Sequence, residues 1–286
     1  MKVLVTGASG FIGKHVVNAL VTIKDMKVIA SASSDESLKV FKDKAVETIP
    51  FDYYHQHFDN VDLFKMLGAP DKMIHLAWKG LPNYGETFHV TENLPKEFKF
   101  IENLLKNGLN DITVSGTCFE YGMYEGELNE DMPTFPSNYY ALAKDTLRRM
   151  LEIFQRQNAF DLKWARLFYM YGEGQNPKSL LAQLDKAIEN REEIFNMSGG
   201  EQIRDYLPVQ EVAKNIVSIS LQNTIKGNIN ISSGIPQKLA TFVVDYLEKK
   251  NKNIKLNLGF YPYSSYEPME FWGNNDKLNK IYEFRN

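Results

Sequence analysis

Residues 5–13 read VTGASGFIG, and this short stretch restricts the fold more than any other part of the chain. It follows the apolar run MKVLV and precedes a segment with apolar residues at helical spacing. A glycine turn between a strand and a helix lets a ligand approach the backbone closely and meet free N–H groups. The stretch therefore predicts a dinucleotide-binding turn, with an ordinary glycine-containing turn as the alternative. We expect cofactor contacts from Gly7, Ser9, Gly10, Phe11, Ile12 and Gly13.

Strand-like apolar runs recur along the first two thirds of the chain, with helical segments between most of them. The runs cover residues 1–5, 26–32, 47–51, 72–78, 111–117 and 162–172. This alternation predicts an α/β fold, a Rossmann doubly wound parallel sheet covered on both faces. After Gly172 the alternation weakens, which predicts a smaller, interwoven C-terminal substrate lobe. The expected boundaries are 1–172 with about 206–234 for the dinucleotide domain, and about 173–205 with 235–286 for the lobe.

The composition excludes several classes of partner. The 286-residue chain has a formal net charge of −3 and a pI near 6.0, so it lacks the basic surface that nucleic acid binding requires. Its single cysteine, Cys118, permits no intrachain disulfide and no cysteine-based zinc site, and we expect no metal. No apolar run reaches the roughly 18 residues of a membrane span, and the N-terminal run leads into the glycine turn rather than a cleavage site. We therefore expect a cytoplasmic protein without membrane or nucleic acid partners.

The end of the second strand decides which dinucleotide the turn prefers. An NAD site places an acidic residue there, roughly 20 residues after the glycines, to bind the ribose 2′-hydroxyl. The stretch IASASSDES puts Ala32 at that position with Ser31, Ser33 and Ser34 around it. Lys39 or Lys14 either adds positive charge nearby or is a solvated surface lysine. Small hydroxyls can donate to a 2′-phosphate, so the sequence favours NADP(H). NAD(H) stays possible, because Asp35 or Glu36 takes the acidic position if the register shifts.

Tyr140 and Lys144 lie four residues apart in YALAK, within a run of good helix formers, so both project from one helix face. An ammonium next to a phenol favours the phenolate, and we expect it to lower the pKa of Tyr140 from about 10. The tyrosine would then exchange protons near neutral pH. The alternative is a surface helix that carries an aromatic residue and a lysine one turn apart.

Taken together, several motifs resemble those of the extended short-chain dehydrogenase/reductases that act on nucleotide sugars. They cover nearly the whole chain in the right order: TGASGFIG, HLA at 75–77, Asn93 at the start of a helix, SGTCFEYG at 115–122, YALAK, RLFYMYGEGQ at 166–175, RDYLPVQEVA at 204–213, and NINISSG. The resemblance implies a nucleotide-sugar substrate. It also implies a homodimer that packs through two helices, one starting near Asn93 and one bearing Tyr140.

The resemblance further implies roles for individual residues. Thr117 would bind the sugar O4 beside Tyr140, and Lys144 would also hold the nicotinamide ribose; Thr117 could instead be an ordinary β-branched strand residue. Asp52 would contact the adenine amine or be a turn residue. Arg204 would pair with the substrate diphosphate through its fork, or form an ion pair with Asp205. Further contacts are implied for the cofactor at Leu76, Ala77 and Asn93, and for the substrate at Cys118, Phe119 and Tyr169.

Departures from the family pattern narrow the reaction. Dehydratases carry Asp-Glu directly after the catalytic threonine, whereas Cys118 and Phe119 stand here. Reductases that also epimerise C3 and C5 need a cysteine at the position of Phe119 and a later histidine, yet all five histidines precede Thr117. On an alternating strand Cys118 should point to the opposite face, as a small buried thiol.

A bare Thr-Tyr-Lys set suffices for hydride transfer at one carbon, and the closest resemblance is to reductases of nucleotide-linked 4-keto-6-deoxyhexoses. We predict NADPH-dependent reduction at C4, for example of dTDP-4-keto-6-deoxyglucose to dTDP-fucose or its C4 epimer. The alternatives are an NAD-containing nucleotide-sugar 4-epimerase and a dinucleotide-sensing regulator without catalysis. Aromatic residues of the tail either stack on the nucleotide base or belong to the core: Phe260, Tyr261 and Trp272.

Overall fold

A computed structural model describes residues 1–264 and 267–283. The strands in chain order are β1 (Lys2–Thr6), β2 (Lys27–Ala32), β3 (Val46–Pro50), β4 (Lys72–His75), β5 (Asp111–Thr117), β6 (Gly126–Leu128), β7 (Asp161–Leu167), β8 (Tyr169–Tyr171), β9 (Ile194–Asn196), β10 (Ile203–Arg204), β11 (Tyr206–Pro208), β12 (Gly227–Ile231), β13 (Gln237–Lys238), β14 (Lys255–Asn257) and β15 (Phe271–Gly273). The α-helices are α1 (Phe11–Val21), α2 (Asp35–Leu38), α3 (Leu63–Met66), α4 (Leu94–Lys106), α5 (Tyr139–Gln155), α6 (Leu180–Glu189), α7 (Val209–Leu221), α8 (Leu239–Lys249) and α9 (Asp276–Glu283).

Seven parallel strands form the central sheet in the order β12-β7-β5-β4-β1-β2-β3. The chain builds β1, β2 and β3 outward on one side and then returns to place β4 on the other side of β1. The switch point therefore lies between β1 and β4, and the crevice for a ligand opens at their carboxyl ends. The predicted α/β Rossmann fold is confirmed, and the crevice is where the glycine turn and the predicted catalytic residues gather.

The sheet separates two apolar layers, as expected for parallel strands buried on both faces. Val3 and Val5 of β1 face the layer that α1 and α7 cover, and Leu4 faces the opposite layer, where α4 and α5 pack. Leu147 and Leu151 of α5 lie in this second layer. Packing along the whole of α5 thus fixes the helix that carries Tyr140 and Lys144.

The run at 162–172 forms two strands rather than the single strand predicted. β7 ends at Leu167 in the central sheet, and after Phe168 the chain continues as β8, which pairs with β11 outside that sheet. A separate apolar cluster then forms between α6 and α8 around Leu184 and Val243. The lobe boundaries stay a prediction, and residues 265–266 and 284–286 of the predicted lobe lie outside the described residues. Within the described part, no helix has the length and apolar character needed to cross a membrane.

Candidate active site

The three glycines of the first turn differ in what surrounds them. Gly7 has a φ of +65°, and a Cβ there would lie 2.7 Å from the Ala77 nitrogen. A Cβ on Gly13 would lie 2.2 Å from the Gly7 carbonyl oxygen. Gly7 and Gly13 are therefore required by the protein's own packing, since the turn lies against the chain that leaves β4 and against the first turn of α1.

Gly10 has more open surroundings than the other two glycines. A Cβ on Gly10 would meet only the Gly7 carbonyl oxygen, at 3.1 Å, among the described residues. Gly10 is also the N-cap of α1 and supplies no side-chain cap, so Phe11 and Ile12 begin the helix with backbone N–H groups available to an anion. The open cradle and the uncapped helix start fit a dinucleotide pyrophosphate.

This difference predicts unequal results for two alanine substitutions. Gly10→Ala should lower the melting temperature less than Gly13→Ala does, and it should weaken dinucleotide binding at least about tenfold, because the methyl group occupies the space beside the start of α1. Gly13→Ala should lower the melting temperature more, because its methyl group collides with the Gly7 carbonyl. Calorimetric titration with the dinucleotide and thermal unfolding check both variants. Tight dinucleotide binding by Gly10→Ala would contradict the assignment of Gly10 and the start of α1 as the pyrophosphate site.

The end of β2 carries the residues that bear on cofactor preference. Ser31 is buried and its carbonyl accepts from the Ala8 N–H, whereas Ser33 is exposed just beyond Ala32. The Ser34 hydroxyl caps α2 by accepting from the Ser37 N–H. Lys39 forms an ion pair with Glu36, 2.5 Å apart, so this lysine's charge is already matched by a carboxylate.

Asp52 follows β3 at the same edge of the sheet. Its carboxylate accepts from the Tyr54 N–H at 3.1 Å and contacts His55 Nδ1 at 2.7 Å. Asp52 is therefore a turn residue in this structure, and its contact with the adenine amine stays a prediction. Leu76 and Ala77 continue from β4, and the Leu76 N–H donates to the Thr6 carbonyl, so these two residues form the wall of the crevice behind Gly7.

A buried polar cluster that the sequence analysis missed supports this wall. Glu97 of α4 is fully buried; it contacts His75 Nε2 at 2.5 Å and accepts from the Tyr53 hydroxyl at 3.0 Å and from the Tyr54 hydroxyl. His75 Nδ1 lies 2.7 Å from the Thr6 hydroxyl. The cluster joins the carboxyl ends of β1 and β4 to α4. No local pattern indicates it, because its members come from four separate segments.

The structure brings the three predicted catalytic residues together at the carboxyl end of β5. Asn138 caps α5 by accepting from the Ala141 N–H at 2.9 Å, which places Tyr140 in the first turn of the helix. Tyr140 and Lys144 are both buried, and the Thr117 side chain lies close enough to the Tyr140 phenol to lower its pKa. Lys144 Nζ donates to the Ser115 carbonyl at 2.9 Å. This arrangement can hold a carbonyl or hydroxyl oxygen between two hydroxyl groups and an ammonium group.

The direction of the Tyr140 pKa shift is opposite to the prediction. Burial raises the pKa of the Tyr140 phenol, with further increases from Tyr84, Glu120 and Cys118, and the opposing effect of the Thr117 side chain is smaller. Lys144 is itself desolvated, which lowers its pKa to about 8. The prediction is wrong because Lys144 donates to a backbone carbonyl and is as deeply buried as the phenol. Tyr140 is therefore a protonated phenol at neutral pH.

Thr117 is held in place by a capping arrangement that the sequence displays as T-x-x-E. β5 ends at Thr117, whose hydroxyl accepts from the Phe119 N–H at 3.3 Å, and the Glu120 carboxylate accepts from the Thr117 N–H at 2.8 Å. Glu120 is fully buried and also binds Trp164 and Arg166. Glu120 fixes the strand end at which Thr117 presents its hydroxyl, and the T-x-x-E spacing is the sequence signal for it.

Cys118 and Phe119 differ in setting from the prediction. The strand ends at Thr117 and Cys118 begins a 3₁₀ turn, so strand alternation does not apply to Cys118. Its thiol is buried as expected, and burial raises its pKa. The ring of Phe119 lies 5.3 Å from that of Tyr84 and 6.3 Å from that of Tyr169. Phe119 and Tyr169 thus belong to an aromatic wall beside Thr117, and their substrate contacts stay a prediction.

Arg204 does not form the ion pair with Asp205 that was the alternative to a diphosphate contact. Its guanidinium binds Glu267 at 3.0 Å, donates to three backbone carbonyls, and lies 4.5 Å from the centre of the Phe271 ring. Asp205 instead accepts from the N–H groups of residues 233 and 234. The alternative Arg204–Asp205 ion pair is wrong, because Glu267 pairs with the guanidinium and two backbone N–H groups bind the Asp205 carboxylate. A diphosphate would have to compete with Glu267 for this arginine.

The remaining aromatic candidates lie in the second lobe. Phe260 and Tyr261 are exposed, whereas Trp272 is half-buried in β15 beside β6. The exposed pair is therefore no part of the core. No group of three or more His, Cys, Asp or Glu side chains is positioned for a metal ion among the described residues.

Comparison with known proteins identifies the family. The model of the NAD-dependent epimerase/dehydratase family matches residues 3–232. The chain belongs to this family. The resemblance inferred from the motifs is confirmed, and the protein is an enzyme of the oxidoreductase or epimerase type that this family comprises.

Two curated relatives in this family are named for reactions at position 4 of a deoxy sugar. The dTDP-6-deoxy-L-talose 4-dehydrogenase (NAD(+)) of Aggregatibacter actinomycetemcomitans is 29% identical over 96% of this chain and 99% of its own length. The GDP-6-deoxy-D-talose 4-dehydrogenase of the same organism is 25% identical over 82% of this chain and 75% of its own.

Comparison with a solved structure shows that the similarity extends over the whole fold. The UDP-N-acetylglucosamine 4-epimerase of Methanobrevibacter ruminantium, in complex with UDP-N-acetylmuramic acid, superposes with a TM-score of 0.84. The match covers 98% of this chain and 91% of that one at 24% identity. This similarity supports the Rossmann-type fold alone.

Proposed function

We propose that this enzyme transfers hydride at C4 of a nucleotide-linked 6-deoxyhexose and reduces the 4-keto sugar to the alcohol. The observation that carries the proposal is the convergence of Thr117, Tyr140 and Lys144, with the Tyr140 phenol kept protonated because burial raises its pKa. A protonated phenol is prepared to donate to the alkoxide that develops on O4. A curated relative named as a 4-dehydrogenase of a dTDP-linked 6-deoxy sugar supports chemistry at this carbon.

Each residue has a separate task in this proposal. Tyr140 gives its phenolic proton to O4, and Thr117 donates a hydrogen bond to the same oxygen and holds the carbonyl in place. Lys144 contributes positive charge next to the phenol. A bound nicotinamide dinucleotide supplies the hydride, and the glycine turn with the start of α1 holds its pyrophosphate.

The carboxylate nearest to Thr117 argues against dehydration. Removal of water across C5 and C6 requires an acid or base, and Glu120 is the one carboxylate of the turn at 118–121. Its two oxygens already accept from Thr117, Trp164 and Arg166 and lie fully inside the protein. Glu120 therefore has a structural role and does not act as the acid or base of a dehydration. Hydride transfer coupled to proton transfer is the reaction that the remaining residues support.

The sequence favours NADP(H), whereas the structure weakens one support for it. The Lys39 charge that could attract a 2′-phosphate pairs with Glu36. The relative named above is NAD(+)-dependent. We propose NAD(H) as the cofactor to test first, and the lack of a carboxylate at Ala32 keeps NADP(H) as its competitor.

Oxidation of NADH and NADPH in the presence of dTDP-, GDP- and UDP-linked 4-keto-6-deoxyhexoses tests the proposal. We expect turnover that requires added reduced cofactor and yields a 6-deoxyhexose with one new hydroxyl. Interconversion of C4 epimers by protein that carries bound NAD, without added cofactor, would show a 4-epimerase instead. Dinucleotide binding without turnover on any of these sugars would leave the regulator as the explanation.

We also propose that one face of α5 forms a homodimer interface. Tyr139, Leu142 and Ile153 are exposed apolar residues whose spacing places them on one side of the helix, away from Tyr140. Ile153→Arg should convert a dimer into a monomer, as measured by light scattering. Ile235→Arg is the matched control, since Ile235 is 70% exposed outside this helix. A monomeric wild-type protein would contradict the proposal.

A further inference from the structure

A tryptophan and a histidine that no part of the proposed mechanism uses surround the Tyr140–Lys144 pair. Trp78 follows β4 three residues after His75, and His89 opens a π-helical turn, His89–Asn93, that leads into α4. The Trp78 ring lies 5.8 Å from the Tyr140 ring in an edge-on arrangement. The His89 ring lies 5.5 Å from the Tyr140 ring. No local pattern in the sequence predicts that these two residues meet the Tyr140–Lys144 pair.

Lys144 has a specific contact with Trp78. Its ammonium nitrogen lies 4.1 Å from the centre of the Trp78 ring, well within the distance for a cation–π interaction. Lys144 is 1% exposed, so water contributes little to its solvation. The face of Trp78 and the Ser115 carbonyl replace that water on two sides of the ammonium group.

The hydrogen bonds of His89 determine its protonation and fix the orientation of Trp78. The indole Nε1 of Trp78 can only donate, and it lies 3.0 Å from His89 Nδ1. Nδ1 must therefore accept, which leaves the proton on Nε2, and Nε2 donates to the Asn83 carbonyl at 3.0 Å. Both ring nitrogens are occupied, so His89 holds the indole and is no proton donor to substrate.

We propose that Trp78, oriented by His89, is a positioning residue that keeps the Lys144 ammonium charged and holds it between the Trp78 ring and the Ser115 carbonyl. This inference rests on the proposed function for its effect on turnover, whereas the contact itself does not. Without the ring, the buried ammonium would lose stabilisation and would be neutral over more of the physiological pH range.

The groups that face Lys144 determine the direction of the expected pH effect. Glu97 and Glu120 raise the pKa of Lys144, burial lowers it more, and the balance is about 8. His89 is neutral where Lys144 titrates, because burial and Lys144 lower the pKa of His89. Removing the Trp78 ring lowers the Lys144 pKa further. The alkaline limb of the activity profile should then move to lower pH by about one unit.

Nitrogen-15 NMR of the tryptophan indoles tests the contact without any activity measurement. The chain has three tryptophans, and Trp78→Phe identifies the Trp78 signal by its loss. We expect this signal to shift with pH near the Lys144 pKa, and to stop shifting in Lys144→Met. A Trp78 signal that does not change between pH 6.5 and 9.5 would overturn the proposal, whether or not the sugar substrate is known.

Two histidine substitutions separate positioning from simple packing. His89→Asn keeps an acceptor where Nδ1 lies, and His89→Gln keeps a donor where Nε2 lies. The proposal predicts a nearly unchanged Trp78 signal and pH profile in His89→Asn, and in His89→Gln a displaced signal with the alkaline limb moved as in Trp78→Leu. Equal behaviour of the two variants would overturn it.

Kinetic measurements on Trp78 variants test whether the ring affects turnover. Trp78→Phe keeps an aromatic face and should move the pH profile less than Trp78→Leu, with the loss in kcat rather than in KM. His57→Gln, at an exposed position, is the matched control and should match the wild type. If Trp78→Leu fails to fold, Trp78→Phe and the two His89 variants still test the positioning role of Trp78. A wild-type protein without C4 reduction refutes the proposed function, and the indole titration then decides the positioning role.

Discussion

Replacing Tyr140 by phenylalanine should lower kcat for C4 reduction by about 10²–10⁴-fold, the range that a positioned proton donor contributes. The substitution removes one oxygen and keeps the ring among Trp78, Tyr84 and His89. Packing of the aromatic residues around position 140 should therefore persist. The proton for O4 would have to come from water, which this buried site admits poorly.

The neighbouring tyrosine provides the matched control. Tyr139 is 44% exposed and four residues before Ala143, so it lacks both the buried setting and the lysine one turn later. Tyr139→Phe should keep wild-type kcat. Initial rates measured with saturating cofactor and sugar decide the comparison, together with a dinucleotide titration of each variant.

Dinucleotide binding by Tyr140→Phe distinguishes loss of the proton donor from misfolding. Dinucleotide affinity should change little in Tyr140→Phe, because the glycine turn and the start of α1 supply the pyrophosphate contacts. Loss of both binding and turnover would indicate that the variant is misfolded, and the melting temperature checks this. Full activity with normal binding would refute the role of Tyr140 as proton donor.

Local sequence patterns predict the positions of functional residues that lie within one structural element. The spacing of Gly7, Gly10 and Gly13 follows from a single strand-turn-helix unit, and the four-residue spacing of Tyr140 and Lys144 follows from one helix. Thr117 was placed correctly at a strand end, because the motif around it matched the family. These features depend on chain geometry that a short window of sequence contains.

Local sequence patterns do not predict contacts between separate segments of the chain. Arg204 binds Glu267, 63 residues later, and His89 meets Trp78 only because two loops fold over the end of α5. The Tyr140 pKa was predicted in the wrong direction because burial, a property of the whole fold, outweighs one neighbouring charge. Sequence spacing identifies which groups can meet, but it contains no measure of how much water is left around them.

Glu120→Ala should cause the largest loss of stability among single substitutions at this site. Its carboxylate accepts from the Thr117 N–H, Trp164 Nε1 and Arg166 Nε, at 2.8, 2.9 and 2.8 Å. Arg166 is 1% exposed, and its NH1 already lacks a partner among the described residues. Removing the carboxylate leaves a buried guanidinium without its counter-charge, which costs about 3–5 kcal/mol. Denaturant titration measures this loss.

Two further variants distinguish charge from shape in this buried pair. Glu125→Ala, at an exposed position in the same loop, should change the unfolding free energy by no more than about 0.5 kcal/mol. Glu120→Gln keeps an acceptor but removes the negative charge that raises the pKa of Lys144. In that variant the Lys144 pKa should fall below about 8, so the alkaline limb of turnover should move to lower pH. An unchanged limb would show that the charge of Glu120 stabilises Arg166 without affecting Lys144, which would restrict this carboxylate to holding the strand end that bears Thr117.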